Sequence, residues 1–344
     1  MTDIQRILCI GSYRLPSNAL LRTRAFARLG YSVESVDSTF RGMRLRRISP
    51  LLAQTVTRWV LNRRIRRLLA HFQPDLVFFE KNLWMTPADL DSLRKLGKDG
   101  MKLVHYNPDD PFGEFSAVWS HFIETIPCYD VHFVPKAENV TEYEGRGGKR
   151  VYPFDRSFDL EMNKPVELGP DDKEVYGCPV GFIGSWAVHR EEMIARLVRE
   201  GIPVAIWGKN WEKGRYWDEL KEHWRGPPRL GEDYTKAICG MEIALHFLRR
   251  ENRDLQDSRT FEIPACGTFM LAERTPDHER LFRDGQEAVF FDDFDDLFEK
   301  TNFYMNHENI RQQIAKAGRS RCLESGYSHD CRMKGLISLI EETK

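Results

Sequence analysis

At 344 residues the chain is about twice the length of a typical domain of roughly 150, so two domains with separate cores are expected. Its 41% hydrophobic and 30% charged residues exclude collagen-like, low-complexity and disordered classes. A formal net charge of −1 excludes a whole-protein field built to capture nucleic acid.

The N-terminal MTDIQRILCIGS runs from a short apolar stretch straight into a glycine turn, and so reads as a first strand and not as a signal peptide. The segment RILCIGSYRLPSNALLRTRAFARLGYSVESVD then reads strand, Gly11-Ser12, loop, amphipathic helix, Gly30 and a second strand at Tyr31–Val36. That is the opening βαβ unit of a parallel sheet.

Between Asp37 and Asp75 no acidic residue occurs, while Arg41, Arg44, Arg46, Arg47, Arg58, Arg63, Arg64, Arg66 and Arg67 do. Leu51, Leu52, Val56, Trp59, Leu61, Ile65 and Leu69 interleave with them, so the stretch after Pro50 predicts a basic amphipathic helix. Two readings stay open for residues 41–72: peripheral contact with an anionic membrane, or a core helix whose arginines are solvated or ion-paired. RNA binding fits less well, because no aromatic strand platform accompanies the arginines.

Further strands are expected at PDLVFFE (74–80), MKLVHYN (101–107) and VHFVPK (131–136). The second of these leads into HYNPDDP (105–111). There Asp109 or Asp110 offers a general base or an acceptor-binding carboxylate, while the run is equally good turn chemistry, and His105 offers a hydrogen-bond donor to a sugar or is a half-buried strand histidine. A Pro- and Gly-rich stretch, NKPVELGPDDKEVYG, suggests a linker over 161–177 between an N-terminal domain of 1–160 and a C-terminal domain of 178–325, with a last helix over 326–344 that returns to the N-domain. The C-terminal domain opens with an echo of the first unit, CPVGFIGSWAVHREEMIARLVREGIPVAIWG: strand, Gly184-Ser185, helix, Gly201, strand. Gly184, Ser185 and Arg190 offer an anion site where strand passes into helix. EIALHFL (242–248), TFMLAE (268–273) and EAVFFD (287–292) are its further strands. The seven cysteines, scattered and never spaced C-x-x-C, fit reduced thiols, with neither a disulfide framework nor a metal site. No apolar run approaches the roughly 20 residues that cross a bilayer, so a cytoplasmic protein is expected, peripheral at the membrane at most.

The stretch from Asp254 to Leu297 carries R-x-F-E-x-x-A-C-G (Arg259, Phe261, Glu262, Ala265, Cys266, Gly267), then D-G-x-E-A (Asp284, Gly285, Glu287, Ala288) and D-D-x-x-D-L. It resembles the donor-binding region of the CgeB-like (spore-maturation) branch of GT-B glycosyltransferases, related to glycosyltransferase family 4, over roughly residues 178 to 330. With Glu262 as the second acid of that family's E-x₇-E, Asp254 stands at the first, one methylene shorter. The resemblance implies an α/β GT-B fold: two Rossmann-like domains with parallel sheets facing across a cleft, acceptor in the first and nucleotide sugar in the second.

It also implies transfer of a sugar from a nucleotide diphosphate sugar to a glycan, lipid or protein acceptor, retaining and without metal or other cofactor. Its implied donor-binding residues are Gly184, Ser185, Arg190, Gly208, Lys209, Asp254, Ser258, Arg259 and Glu262, and its catalytic residues Asp109, His105 and Arg259. Glu262 would take the ribose hydroxyls, and Arg259 the charge growing on the leaving diphosphate. A nucleotide-sugar epimerase or phosphorylase on the same fold, and a non-catalytic scaffold in envelope or coat assembly, are the alternatives.

Overall fold

The computed structural model describes residues 4–14, 17–39, 50–114 and 116–342. The apolar run Arg6–Gly11 (β1) breaks at its glycine, and Asn18–Arg28 (α1) starts where the Ser17 hydroxyl accepts from the Leu20 amide at 3.3 Å. Gly30, at φ 91°, provides the left-handed turn out of α1 into Ser32–Asp37 (β2), parallel to β1.

There follow Pro50–Phe72 (α2), Leu76–Glu80 (β3), Pro87–Leu96 (α3), Lys102–Tyr106 (β4), Ser120–Thr125 (α4), Val131–Val134 (β5), Ala137–Glu144 (α5) and Val151–Pro153 (β6). The six strands form one parallel sheet in the order β2-β1-β3-β4-β5-β6. Alternate residues of β1 feed opposite faces: Leu8 and Ile10 join one apolar cluster with Val77 and Phe79, while Ile7 and Cys9 join another with Leu76 and Phe78.

The basic helix is α2. Leu61, Ile65 and Leu69, four residues apart, form a fully buried stripe. Arg58 pairs with Asp89 and donates to Thr86, and Arg66 donates to Ser92, both on or capping α3. Trp59 stands 60% exposed on the other side with Arg63 over its ring at 5.5 Å. Arg41, Arg44, Arg46 and Arg47, and the side chains of Leu51 and Leu52, lie outside the described residues.

The second sheet is built from Pro170–Tyr176 (α6), Cys178–Ile183 (β7), Val188–Arg199 (α7), Val204–Trp207 (β8), Trp217–Leu220 (α8), Glu232–Cys239 (α9), Met241–His246 (β9), Ser258–Ala265 (α10), Phe269–Glu273 (β10), Pro276–Leu281 (α11), Val289–Phe291 (β11), Phe294–Met305 (α12) and Glu308–Glu324 (α13). Its five strands are parallel, in the order β11-β10-β9-β7-β8. The chain ends in His329–Glu341 (α14), whose Met333, Leu336, Ile337 and Ile340 pack with Ile7, Cys9 and Phe26.

The chain divides into two compact units, residues 1–156 with 250–253 and 329–344, and residues 157–249 with 254–328. The stretch 161–177 departs from a linker: it is part of the second unit. Pro170 opens α6 with Asp171 and Asp172 in its first turn, Asp172 pairs with Lys236, and Thr235 donates to the Met162 carbonyl at 2.7 Å.

In the first unit, Arg22 of α1 meets Glu80, the last residue of β3, in a two-point ion pair with Nε–Oε2 at 2.9 Å and with 3% and 8% of the two side chains exposed. Arg22 also lies 4.7 Å over the Tyr106 ring. Removing one partner of a buried pair strands the other charge away from water. Glu80→Ala is expected to destabilise this unit by about 3 kcal/mol, read as a lower midpoint in urea unfolding.

Candidate active site

In the second sheet β7, the first strand, lies between β9 and β8, so the connections leave β7 and β9 in opposite directions. The carboxyl ends of those two strands therefore form a topological switch point, where open α/β sheets bind ligands. Two arginines converge there. Arg190, on α7, donates from Nη1 to the Ser185 carbonyl at 3.0 Å and from Nη2 to the Phe247 carbonyl at 2.8 Å, so it spans the chain leaving both strands. It is 1% exposed, its Nε is buried without a partner, and among the described residues no carboxylate bonds it. Burial first, and then the charge of Arg259, push its pKa down to about 10.

Arg259, on the first turn of α10, donates from Nη1 to the Ile183 carbonyl at 3.0 Å. Burial opposes its charge, but the Asp257 carboxylate, with Tyr234 and Glu262, more than compensates and holds the guanidinium firmly protonated. Asp257 does three things at once. It caps α10, with Oδ1 accepting from the Arg259 amide at 2.7 Å; it pairs with the Arg259 side chain; and it accepts from His246 Nε2 at 3.0 Å. The Thr260 hydroxyl reciprocates by accepting from the Asp257 amide at 3.0 Å and lies 3.0 Å from His278 Nε2, whose Nδ1 donates to the Glu273 carbonyl at 2.6 Å.

Gly184 and Ser185 follow β7 directly, and a Cβ on Gly184 would stand 3.1 Å from Arg259 Nη1. Gly208 follows β8 so closely that a Cβ there would collide with the Gly184 carbonyl, and exposed Lys209 accepts at its carbonyl from the Trp186 amide at 3.0 Å. Both glycines are thus required by close approach. Ser258 is half-buried at the head of α10. Glu262 sits in the second turn and not at the helix start; it is 7% exposed, and its Oε2 accepts from the Tyr234 hydroxyl of α9 at 2.5 Å. Asp254 is buried beside the end of the loop after β9, its amide bonded to the Arg249 carbonyl at 3.2 Å.

In the first unit the expectation for His105 is corrected. Its ring is wholly buried in β4, stacked on Phe122 at 4.4 Å with Nδ1 3.4 Å from His132 Nδ1, and burial pushes its pKa well below the usual histidine value. It is a core histidine because β4 is covered on both faces. Asp109 is half-buried and pairs with Lys81 at 2.6 Å; burial works against its charge, but Lys81 and Arg156 outweigh it and hold its carboxyl below the usual range. Asp110 is buried against Arg253, Asn139 and the Phe112 amide. The two aspartates thus engage different cations. Lys81 and Arg253 both sit on left-handed backbone, at φ 56° and 46°, a conformation that costs a side-chain-bearing residue of order 1–3 kcal/mol.

Asp257, His246 and Tyr234 are the site residues that sequence reasoning missed. Only Asp257 leaves a signal, the capping pattern D-x-x-T formed with Thr260.

Arg190 and Arg259 thus bring two guanidiniums together at the strand switch point. Residues 190–338 match the glycosyl transferase-like family. No curated protein matches the chain. Similar solved structures include Anabaena HepE in complex with UDP and glucose (12% identity, 98% of this chain and 100% of that one, TM-score 0.62). A glycosyltransferase from Rickettsia africae (10%, 99% and 98%, TM-score 0.65) and sucrose-phosphate synthase from Thermosynechococcus elongatus (10%, 99% and 100%, TM-score 0.68) are also similar. At such identities the likeness is one of fold: two parallel α/β sheets in the GT-B arrangement of glycosyltransferases. The family match covers less than half of the chain, within its C-terminal part. Among the described residues no helix is long and apolar enough to cross a membrane.

The buried histidines set a pH dependence. Burial lowers His132 to about 4 and His278 to about 3, against roughly 6.5 in the unfolded chain. Between these values the unfolded state holds the extra proton, so the stability present above pH 6.5 is lost as pH falls, by about 1.4 kcal/mol per unit for each histidine. Urea unfolding at pH 7 and pH 5 should show it, and His132→Phe should flatten the dependence of the first unit.

Proposed function

We propose that the protein transfers a sugar from a nucleoside diphosphate sugar to an acceptor hydroxyl, with the donor in the second unit. The observation that carries this reading is Arg190: a buried guanidinium that, among the described residues, hydrogen-bonds carbonyls and no carboxylate, beside a second guanidinium whose charge lowers its pKa. A diphosphate supplies that charge. As the bond from the sugar C1 to the diphosphate oxygen breaks, the electron pair leaves with the nucleotide, and Arg190 and Arg259 stabilise it where a divalent cation would otherwise stand. The donor is a UDP-sugar in this proposal, in keeping with the UDP-bound HepE.

Ser185 and the Gly184 turn add donors to the phosphates, and Gly208 with Lys209 lies beside them. Glu262, oriented by Tyr234, anchors the ribose hydroxyls; Ser258 lies at the head of the same helix, and Asp254 takes sugar hydroxyls at the first acid position. In the first unit Asp109, kept ionised by Lys81, binds the acceptor hydroxyl. The transfer is retaining and needs no metal or other cofactor, and the R-x-F-E-x-x-A-C-G stretch puts the chain in the CgeB-like branch.

Calorimetry with UDP tests the donor site. Arg190→Ala and Arg259→Ala are each expected to weaken UDP by about 10- to 100-fold, the size of a lost charge-assisted hydrogen bond. Wild-type affinity in both would sink the assignment.

The same proposal includes peripheral contact of α2 with an anionic membrane, supported by exposed Trp59 beside Arg63, Arg64 and Arg67, which lie on the side away from the buried Leu61, Ile65 and Leu69 stripe. Vesicles containing anionic lipid should sediment the protein at low salt, and Trp59→Ala with Arg63→Glu should release it. If the wild-type protein stays in the supernatant, α2 is a structural helix only.

A further inference from the structure

Two thiols of the second unit meet away from the arginine pair. Cys239 ends α9 and Cys266 caps the C-terminus of α10. The Cys239 Sγ stands 3.8 Å from the Cys266 carbonyl oxygen and 3.7 Å from that of Lys164, so the thiol lies against the residue that ends α10. The same helices are already joined further up by the Tyr234 hydroxyl on Glu262, so α9 and α10 meet at both ends of this run.

The two sulfurs differ in access. Cys266 is 3% exposed, whereas Cys239 is half-buried and lines an open cavity of about 480 Å³ with Val166, Leu168, Lys173 and Glu242. The neighbouring Cys266 thiol lowers the Cys239 pKa against the effect of burial, while Cys239 and burial both raise that of Cys266. Cys239 is therefore the thiol that ionises and the one a small oxidant reaches.

We propose that Cys239 and Cys266 form an oxidation site that closes into a disulfide linking α9 to α10. With a peroxide as oxidant, the Cys239 thiolate attacks one peroxide oxygen, the O–O bond breaks, and hydroxide leaves a sulfenic acid on Cys239. The Cys266 sulfur then attacks the Cys239 sulfur, the S–O bond breaks, and the Cys266 proton departs with the hydroxyl as water. Both sulfurs are oxidised by one electron each, and the peroxide is reduced to two waters once the first hydroxide takes up a proton. The cross-link spans the helices that carry Tyr234, Arg259 and Glu262, but its formation does not depend on what those residues bind.

The test uses the full-length protein, reduced, exposed to hydrogen peroxide, blocked with N-ethylmaleimide and digested for mass mapping. The expected product is one linked peptide pair containing Cys239 and Cys266, lighter by two hydrogens than the separate peptides. Buried Cys9, Cys178 and Cys322 should remain alkylatable after unfolding. In Cys266→Ser the sulfenic acid on Cys239 should persist and be trapped by dimedone. Amide exchange over residues 232–239 and 258–265 of the wild-type protein should slow on oxidation, which keeps the proposal testable if the variant does not fold. A Cys239 that stays reduced while exposed Cys331 oxidises, a disulfide to any other cysteine, or unchanged exchange in both helices would each overturn it.

Discussion

The Asp257 carboxylate is the constraint on which the candidate site depends. It ends the loop after β9, starts α10, and fixes the direction of Arg259 through backbone and side chain together. A carboxylate able to accept several bonds is suited to this, since each oxygen has two lone pairs. His246, at the end of β9, supplies the bond that ties the cap to the sheet. The position of the guanidinium is thus set by a strand end and a helix start, both rigid, and not by the loop between them. Asp257 thus orients Arg259 by direct bonds, while it acts on Arg190 through its charge and not through a hydrogen bond.

Much of the scaffold was legible because its signals are local. The two strand–glycine–helix–glycine–strand runs ended where Gly30 and Gly201 take positive φ, at 91° and 84°, and the short apolar runs of both halves became strands of all-parallel sheets. The basic segment was half legible. Its four-residue stripe of Leu61, Ile65 and Leu69 explains the apolar side, but the partners of Arg58 and Arg66 lie on or at the cap of a helix some thirty residues away, and no local pattern encodes that pairing.

The site was legible in its motif and illegible in its support. Arg259 and Glu262 were found together, yet their supports come from elsewhere: Arg259 bonds Asp257 and Glu262 bonds Tyr234. Spacing along a helix reports which residues share an element, while partners drawn from α9 or β9 depend on how the sheet is assembled. His105 shows the converse. In a parallel sheet covered on both faces every position of a strand is interior, so a polar residue inside KLVHY was a core residue from the start, and its proximity to the Asp109 turn in sequence carried no access to solvent.

The two units share a topology but not a charge balance. In the first sheet the switch point falls between β1 and β3, and the arginine on the following helix, Arg22, meets a carboxylate that ends β3, Glu80. In the second sheet the arginine on the equivalent helix, Arg190, faces β9, which ends in His246, a side chain already committed to Asp257. The first unit therefore closes its own ion pair and the second leaves a guanidinium served only by carbonyl dipoles. Burying an arginine without a carboxylate is unfavourable for folding alone. That unmatched guanidinium at a strand switch point, and not the shared topology, is the feature on which the proposed donor site rests.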